Sequence, residues 1–311
     1  MKKWWFVVAA VAMLALVVVP RIIRYRNANL ETRQLNSVVR EKLPGSFVQL
    51  PDGVMHYEVA GPVDGRLVVL VAGFSAPYAV WDATFAGLTQ AGFRVLRYDH
   101  FGRGYSDRPD ARYDPEFFDK QLQDLLDALK VTGKVDLVGE DMGGAIAAAF
   151  ANRHPARANR LVMIDPGYRT GYEVPIRLRM PLSRDYGIML RASTMADAQM
   201  NDFVHPERFS SYLATYREQM RYRGFRKAIL STMLNYWVED STAEYRQLGK
   251  IGRPVLLLWG VADESSRIEL SAKVREDIPQ AEFHVIKDAG HRPALERPEI
   301  VNPILIEFLK K

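Results

Sequence analysis

The stretch DLVGEDMGGAIAAAFANRHP, Asp136 to Pro155, holds a carboxylate at a position suited to chemistry. A short apolar run ends at Val138, glycines flank a turn, and an Ala-rich helix is expected over 142–153. Gly139-Glu140-Asp141-Met142-Gly143 has the G-x-Nu-x-G spacing of a strand that reverses sharply into a helix and lifts its apex residue into a cleft. Gly139 and Gly143 remove side chains that would collide at the reversal, and Gly144 and Ala145 let the helix lie close to the sheet. At a helix amino end the Asp141 carboxylate meets free N–H groups and the favourable end of the helix dipole. The plainer reading of Asp141 is a helix N-cap. A cap, however, needs neither the flanking glycines nor the preceding strand.

Two further residues fall where such an apex needs partners. LLLWGVADESS ends a strand and delivers Asp263 into a loop; VIKDAGHRPALERPE ends the next strand and delivers His291 in a Gly-His-x-Pro turn. The chain order is nucleophile, acid, histidine. In that arrangement the acid orients the imidazole and the imidazole activates water. His56, His154, His205 and His284 have duller addresses, and His100, after Asp99 at a strand end, is the near rival. Backbone donors for a developing oxyanion are expected from the N–H groups of Phe74, after the Gly73 turn, and of Met142. The set asks for no cofactor and no metal.

These residues need a scaffold, and the rest of the chain reads as one. The 311 residues are 48% hydrophobic and 25% charged, an ordinary globular balance, and contain no cysteine, which excludes disulfide and thiolate chemistry. PDG between FVQL and VMHYEVAG reads as a hairpin turn. Apolar runs then recur at Leu67–Ala72, Phe93–Tyr98, Val135–Val138, Leu161–Ile164, Val255–Trp259 and Phe283–Ile286. Helix candidates lie between them near 78–91, 115–130, 142–153, 266–277 and 298–310. Strands alternating with helices predict an α/β fold with a mostly parallel sheet covered on both faces. The core is expected over 44–165 and 250–311. Residues 166–249, rich in Tyr, Arg and Met and lacking a buried strand pattern, are expected to form an inserted helical cap over the strand ends.

The amino end reads differently. Trp4 to Val19 is an uncharged apolar run, preceded by Lys2 and Lys3 and followed by Pro20 and Arg21. As a helix it reaches about 24 Å at roughly 1.5 Å per residue, and extension to Ile23 with Arg21 snorkelling would match a bilayer core of about 30 Å. Residues 1–26 are therefore expected to be a single-pass N-terminal transmembrane helix, with the lipid bilayer as partner through residues 4–23 and a membrane localisation of open sidedness. Val17 to Pro20 make a poor signal-peptide cleavage site. Residues 27–43 are expected to be a helical stalk. The net charge of +5 sits at this end: residues 1–43 hold eight Lys/Arg and two Glu, leaving 34 basic and 35 acidic residues for the body. The body therefore carries no nucleic-acid footprint.

Taken together, AGFSAPYAVWD, YDHFGRGYSDRPD, VGEDMGG, WGVADES and DAGHRPALERPE resemble the α/β-hydrolase fold family over about residues 44–311. The resemblance splits at the elbow. Aspartate at the apex is similar to epoxide hydrolases and to haloalkane or haloacetate dehalogenases. The GFS…W, GRGYSDRP and MGGAIA segments are similar to serine esterases and monoacylglycerol lipases. Met142 stands where dehalogenases often carry Trp, and Ala72-Gly73 where epoxide hydrolases usually carry His-Gly. The aspartate branch implies a hydrolase in which Asp141 forms an alkyl ester that His291-activated water hydrolyses, on a small apolar substrate. The serine branch implies a carboxylesterase or lipase relative whose nucleophile has been replaced, leaving a silent or ligand-binding site. Resembled epoxide hydrolases use cap tyrosines as acids. Tyr168, Tyr172 and Tyr236 lead the candidates here, with Tyr186, Tyr212, Tyr216 and Tyr222 behind them, and no spacing selects a pair.

Overall fold

The structure is a computed structural model, and it describes residues 2–168 and 173–311. Eight strands form one sheet: β1 (Ser46–Leu50), β2 (Gly53–Ala60), β3 (Leu67–Val71), β4 (Arg94–Tyr98), β5 (Val135–Glu140), β6 (Ala158–Ile164), β7 (Val255–Gly260) and β8 (Glu282–Ile286). Their order is β1-β2-β4-β3-β5-β6-β7-β8. β1 and β2 form the antiparallel hairpin with Leu50 facing Gly53, β2 pairs antiparallel with β4, and every pair from β4 to β8 is parallel.

The helices in chain order are α1 (Lys2–Ala28), α2 (Ser37–Arg40), α3 (Asp82–Gln90), α4 (Pro115–Ala128), α5 (Met142–Arg153), α6 (Ile176–Arg179), α7 (Pro181–Gln199), α8 (Ser210–Gln219), α9 (Phe225–Asn235), α10 (Thr242–Ile251), α11 (Leu270–Asp277), α12 (Pro293–Glu296) and α13 (Pro298–Lys310). The continuous apolar strands are explained by two cores. Along β3, Val68 and Leu70 join Trp81, Leu88, Leu305 and Leu309 on one face. Val69 and Val71 join Leu122, Ile146, Phe150 and Leu248 on the other. Alternate side chains thus enter opposite layers, so both faces must be apolar. Between β6 and β7 the described residues form helices and no strand, and Met195, Tyr216, Phe225 and Ile229 of that segment merge with the first core.

Two expectations for the amino end fail. Among the described residues no helix is long and apolar enough to cross a membrane. That overturns the transmembrane anchor over residues 1–26 and the membrane localisation built on it. The uncharged run ends at Val19, about 24 Å by the roughly 1.5 Å rise and short of a bilayer core of about 30 Å; beyond it Arg21, whose guanidinium bonds the Val17 carbonyl at 3.0 Å, puts a charge inside α1. α1 instead contacts α7, while Trp4, Trp5, Leu14 and Leu16 are exposed. Within residues 27–43, expected as a helical stalk, helix is confined to the end of α1 at Ala28 and to α2 (Ser37–Arg40). Arg33 pairs with Tyr222 as an isolated bridge, and the Glu31 carboxylate accepts from the N–H groups of Gly224 at 3.2 Å and Arg226 at 2.7 Å. These bonds, to the helical segment between β6 and β7, replace helical ones.

Candidate active site

β5 is buried throughout and ends at Glu140, after which the chain reverses into α5. At the apex Asp141 has φ 48 and ψ −121, a conformation that L side chains rarely adopt. Two glycines make it possible. A Cβ on Gly139 would meet the Gly143 carbonyl oxygen at 2.2 Å, and one on Gly143 would meet the Val71 oxygen at 2.1 Å. The Asp141 side chain makes no capping bond to α5, so the N-cap reading does not describe it. Its Oδ2 accepts the Phe74 N–H at 3.0 Å. Met142 opens α5, where a backbone N–H has no acceptor within the helix.

The other two expected residues converge on the same place. Asp263, in the loop after β7, is fixed by its Oδ1, which accepts the N–H groups of Ser265 at 2.7 Å and Ser266 at 2.8 Å. Its Oδ2 accepts His291 Nδ1 at 2.7 Å. That bond leaves Nε2 facing Asp141 Oδ1 at 3.9 Å, too long for a hydrogen bond and short enough for one water to reach both groups. His291 is only 5% exposed. Burial works against its protonation, but the bond to Asp263 and the charges of Asp263 and Asp141 outweigh it and raise its pKa to about 10; Arg292 opposes them. The two carboxylates thus favour a doubly protonated His291 imidazole.

His100 is excluded as a rival. It is fully buried, its Nε2 lies 3.1 Å from the Ala72 oxygen, and burial together with Arg103 lowers its pKa to about 3.

A cavity of about 410 Å³ opens on Asp141 and His291. Phe74, Trp237 and Leu270 give it an apolar wall; Gln199, Asp202 and Arg292 give it a polar one. The expected tyrosines are scattered. Tyr168 lines the cavity, but its hydroxyl donates to Asp277 Oδ2 at 3.2 Å. Tyr236 lines a neighbouring cavity with Met142 and packs edge-on against Phe118. Tyr172 lies outside the described residues. Of the lesser candidates, Tyr216 is buried with its hydroxyl bonded to Ser75 Oγ at 2.8 Å, and Tyr212 reaches Gln199 Oε1 at 3.4 Å. Tyr222 reaches Glu218 at 3.4 Å.

The family model described as alpha/beta hydrolase fold matches residues 66–298. The chain belongs to that family. The alpha/beta hydrolase superfamily protein YfhM of Bacillus subtilis is 26% identical over 284 residues, covering 85% of this chain and 97% of the relative. A cis-3-alkyl-4-alkyloxetan-2-one decarboxylase of Xanthomonas campestris is 26% identical over 290 residues, covering 84% and 94%. Among solved structures, a thermophilic esterase from Thermogutta terrifontis with malate bound is 26% identical with a TM-score of 0.72, covering 86% of this chain and 98% of the other. Within the α/β-hydrolase family this chain is an enzyme of the hydrolase class.

Several site groups escaped the sequence reading. Arg292 and Glu140, each next to an expected site residue, form a buried ion pair through Arg292 Nη1 and Glu140 Oε1. Burial opposes the Arg292 charge, but Glu140 and its other acidic neighbours hold the guanidinium well above its ordinary pKa. Asp165 follows β6 with φ 44 and takes the Gly260 N–H at 2.9 Å. Burial, and then the charge of Asp263, push its carboxyl well above the usual range. An aspartate at a strand end before proline was the available signal. Asp202 had none. Its carbonyl accepts the His291 N–H at 2.8 Å, and its side chain accepts Ser265 Oγ at 3.1 Å.

Proposed function

We propose that this hydrolase uses Asp141 as its nucleophile against an sp³ carbon bearing a leaving group. The pose of the carboxylate carries the proposal: Oδ2 rests on the Phe74 N–H at 3.0 Å while Oδ1 faces His291 Nε2 at 3.9 Å. One oxygen already sits where an oxyanion must later be held, and the other faces the base. Attack by Oδ1 gives an alkyl ester. Alkylation removes the Asp141 charge, one of the causes that keep His291 doubly protonated. The imidazolium can then release its Nε2 proton to solvent or to an alkoxide leaving group, and the neutral ring takes one from water when a base is needed. The water adds to the ester carbonyl, the Phe74 N–H stabilises the oxyanion with Met142 N–H as its expected partner, and the product leaves as an alcohol. Asp263 keeps the imidazole oriented through its 2.7 Å bond.

The relative named for an oxetan-2-one supports a strained oxygen ring as one substrate class, beside epoxides and alkyl halides. The Phe74, Trp237 and Leu270 wall suits the apolar part of a small substrate. One turnover in ¹⁸O-water tests the reading with a panel of epoxides, alkyl halides, lactones and esters. Product should emerge unlabelled, with ¹⁸O on the peptide containing Asp141; labelled product with an unlabelled Asp141 would sink it. A second reading draws on the likeness to an esterase. There Asp141 silences a serine-type site, and Asp141→Ser alone, not the wild type, would hydrolyse short acyl esters.

A further inference from the structure

Arg292 lies in the wall of the catalytic cavity and has no role in the steps above. It is 2% exposed. A Cβ placed on Gly73 would meet Asp141 Oδ2 at 3.0 Å and Arg292 Nη1 at 3.2 Å, so the nucleophile and the guanidinium flank the same glycine. Nη1 donates to Glu140 Oε1, and Nη2 donates to Gln199 Oε1 at 3.1 Å with Asp202 Oδ2 at 3.6 Å. Each terminal nitrogen carries two hydrogens, so Nη1 retains one beyond its bond, and the second hydrogen of Nη2 has only the longer contact to Asp202. Nε is buried without a partner. Glu140 and Gln199 thus hold a cation rigidly beside the nucleophile while leaving it donors.

We infer that Arg292 is the receptor for a carboxylate leaving group, which makes a strained lactone opened at its sp³ carbon the fitting substrate class. This rests on Asp141 being the nucleophile. As Asp141 Oδ1 bonds to the ring carbon, the ring C–O bond breaks and its electron pair leaves on the lactone carboxylate. The negative charge that Asp141 loses reappears on that carboxylate, and a cation beside both stabilises the transfer. A guanidinium fork matches a carboxylate in shape as well as charge. Departure of an alkoxide would call for a proton donor. On this cavity wall the Tyr168 hydroxyl is committed to Asp277, so that proton would have to come from His291. A carboxylate leaves without a proton. Water then hydrolyses the Asp141 ester, and the product is a hydroxy acid whose hydroxyl oxygen came from Asp141.

The test compares Glu140→Gln with Glu140→Gln/Arg292→Gln in the full chain, so that neither variant buries an unpaired Glu140 charge. Adduct formation on Asp141 is timed with β-butyrolactone and with 1-bromobutane. Loss of Arg292 should slow the lactone at least a hundredfold more than the bromide. Equal slowing would make Arg292 merely structural and overturn the inference. Butyrate binding, measured by calorimetry, is independent of turnover. Asp141→Asn, whose neutral amide mimics the alkylated state, should bind butyrate at least tenfold more tightly than the wild type. Adding Glu140→Gln should preserve that binding, and adding both changes should abolish it. Butyrate binding that survives without Arg292, or is absent in Asp141→Asn, overturns the subsite. Butyrate binding without any adduct on Asp141 in the wild type would instead locate the failure in the nucleophile.

Discussion

Around Asp141 the backbone has almost no freedom, whereas the cap turn at Gln199–Asp202 reaches the same cavity through a few polar contacts. The elbow is fixed by carbonyl oxygens little more than 2 Å from where any Cβ on Gly139 or Gly143 would sit, and every residue from Met142 to Ala151 is buried. The cap turn is fixed by Asp202 O on the His291 N–H, Asp202 Oδ1 on Ser265, and Gln199 on Arg292. Packing of the first kind is all-or-none. Hydrogen bonds of the second kind are worth about 0.5–1.5 kcal/mol each. The nucleophile should therefore tolerate nothing nearby, and the cap should tolerate graded change.

Breaking the rigid side gives the largest effect. Gly143→Ala would set a methyl against the Val71 and Ala72 carbonyls at 2.1 and 2.6 Å, and backbone cannot swing away as a side chain can. A loss of about 3 kcal/mol or more is expected, with no detectable turnover. Urea denaturation checks it; a variant within about 0.5 kcal/mol of wild type would show that the elbow is softer than its contacts imply.

Next comes the residue between the two regions. His291 hangs from a core loop, but its N–H is held by the cap. His291→Gln should still form the ester, because Asp141 attacks without a base, and should then stall, with turnover falling by roughly 10²–10⁴. Mass spectrometry of the Asp141 peptide should find the adduct accumulated. Normal turnover would remove His291 from the mechanism.

The cap side should yield less. Asp202→Ala removes the side-chain bond to Ser265 and the charge near Arg292, but keeps the carbonyl on His291. A roughly tenfold drop in kcat/KM is expected, or about 1.4 kcal/mol, with stability changed by about 1 kcal/mol. A drop as deep as that of His291→Gln would mean that the cap turn belongs to the catalytic unit.

The same contrast explains what the sequence could disclose. Asp141, Asp263 and His291 were legible because each follows a strand, buried throughout for β5 and β7 and at Ile286 alone for β8, and strand ends are dictated by apolar runs and glycine that local pattern reports. Phe74 was legible for the same reason. The cap acids were not. Tyr168, Tyr212 and Tyr216 differ in what their hydroxyls touch, which is set by contacts more than 100 residues distant in sequence for Asp277 and Ser75. Arg292 and Glu140 were hidden in another way: they lie 152 positions apart in sequence, and only the sheet topology brings them together. At the amino end, hydropathy favoured a long apolar helix, but the uncharged run stops at Val19 while α1 continues through Arg21, Arg24 and Arg26.

The smallest effect on turnover, and the one that tests the electrostatic link between nucleophile and base, concerns pH. His291 is raised in the folded protein to about 10 from an ordinary 6.5. The folded state therefore binds a proton that the unfolded chain releases between those values. The resulting stability is fully present below pH 6.5 and is lost as pH rises through about 10. Stability should fall across that window by at most roughly 5 kcal/mol, read from urea midpoints at constant ionic strength. Asp141→Asn removes one of the charges that hold the proton, while Asp263 still holds it through the 2.7 Å bond. The slope should shrink but not vanish, and the His291 resonance should titrate lower than in the wild type. An unchanged His291 titration in Asp141→Asn would mean that alkylation of Asp141 cannot free the base, and the coupling between the two steps of the proposed reaction would fail with it.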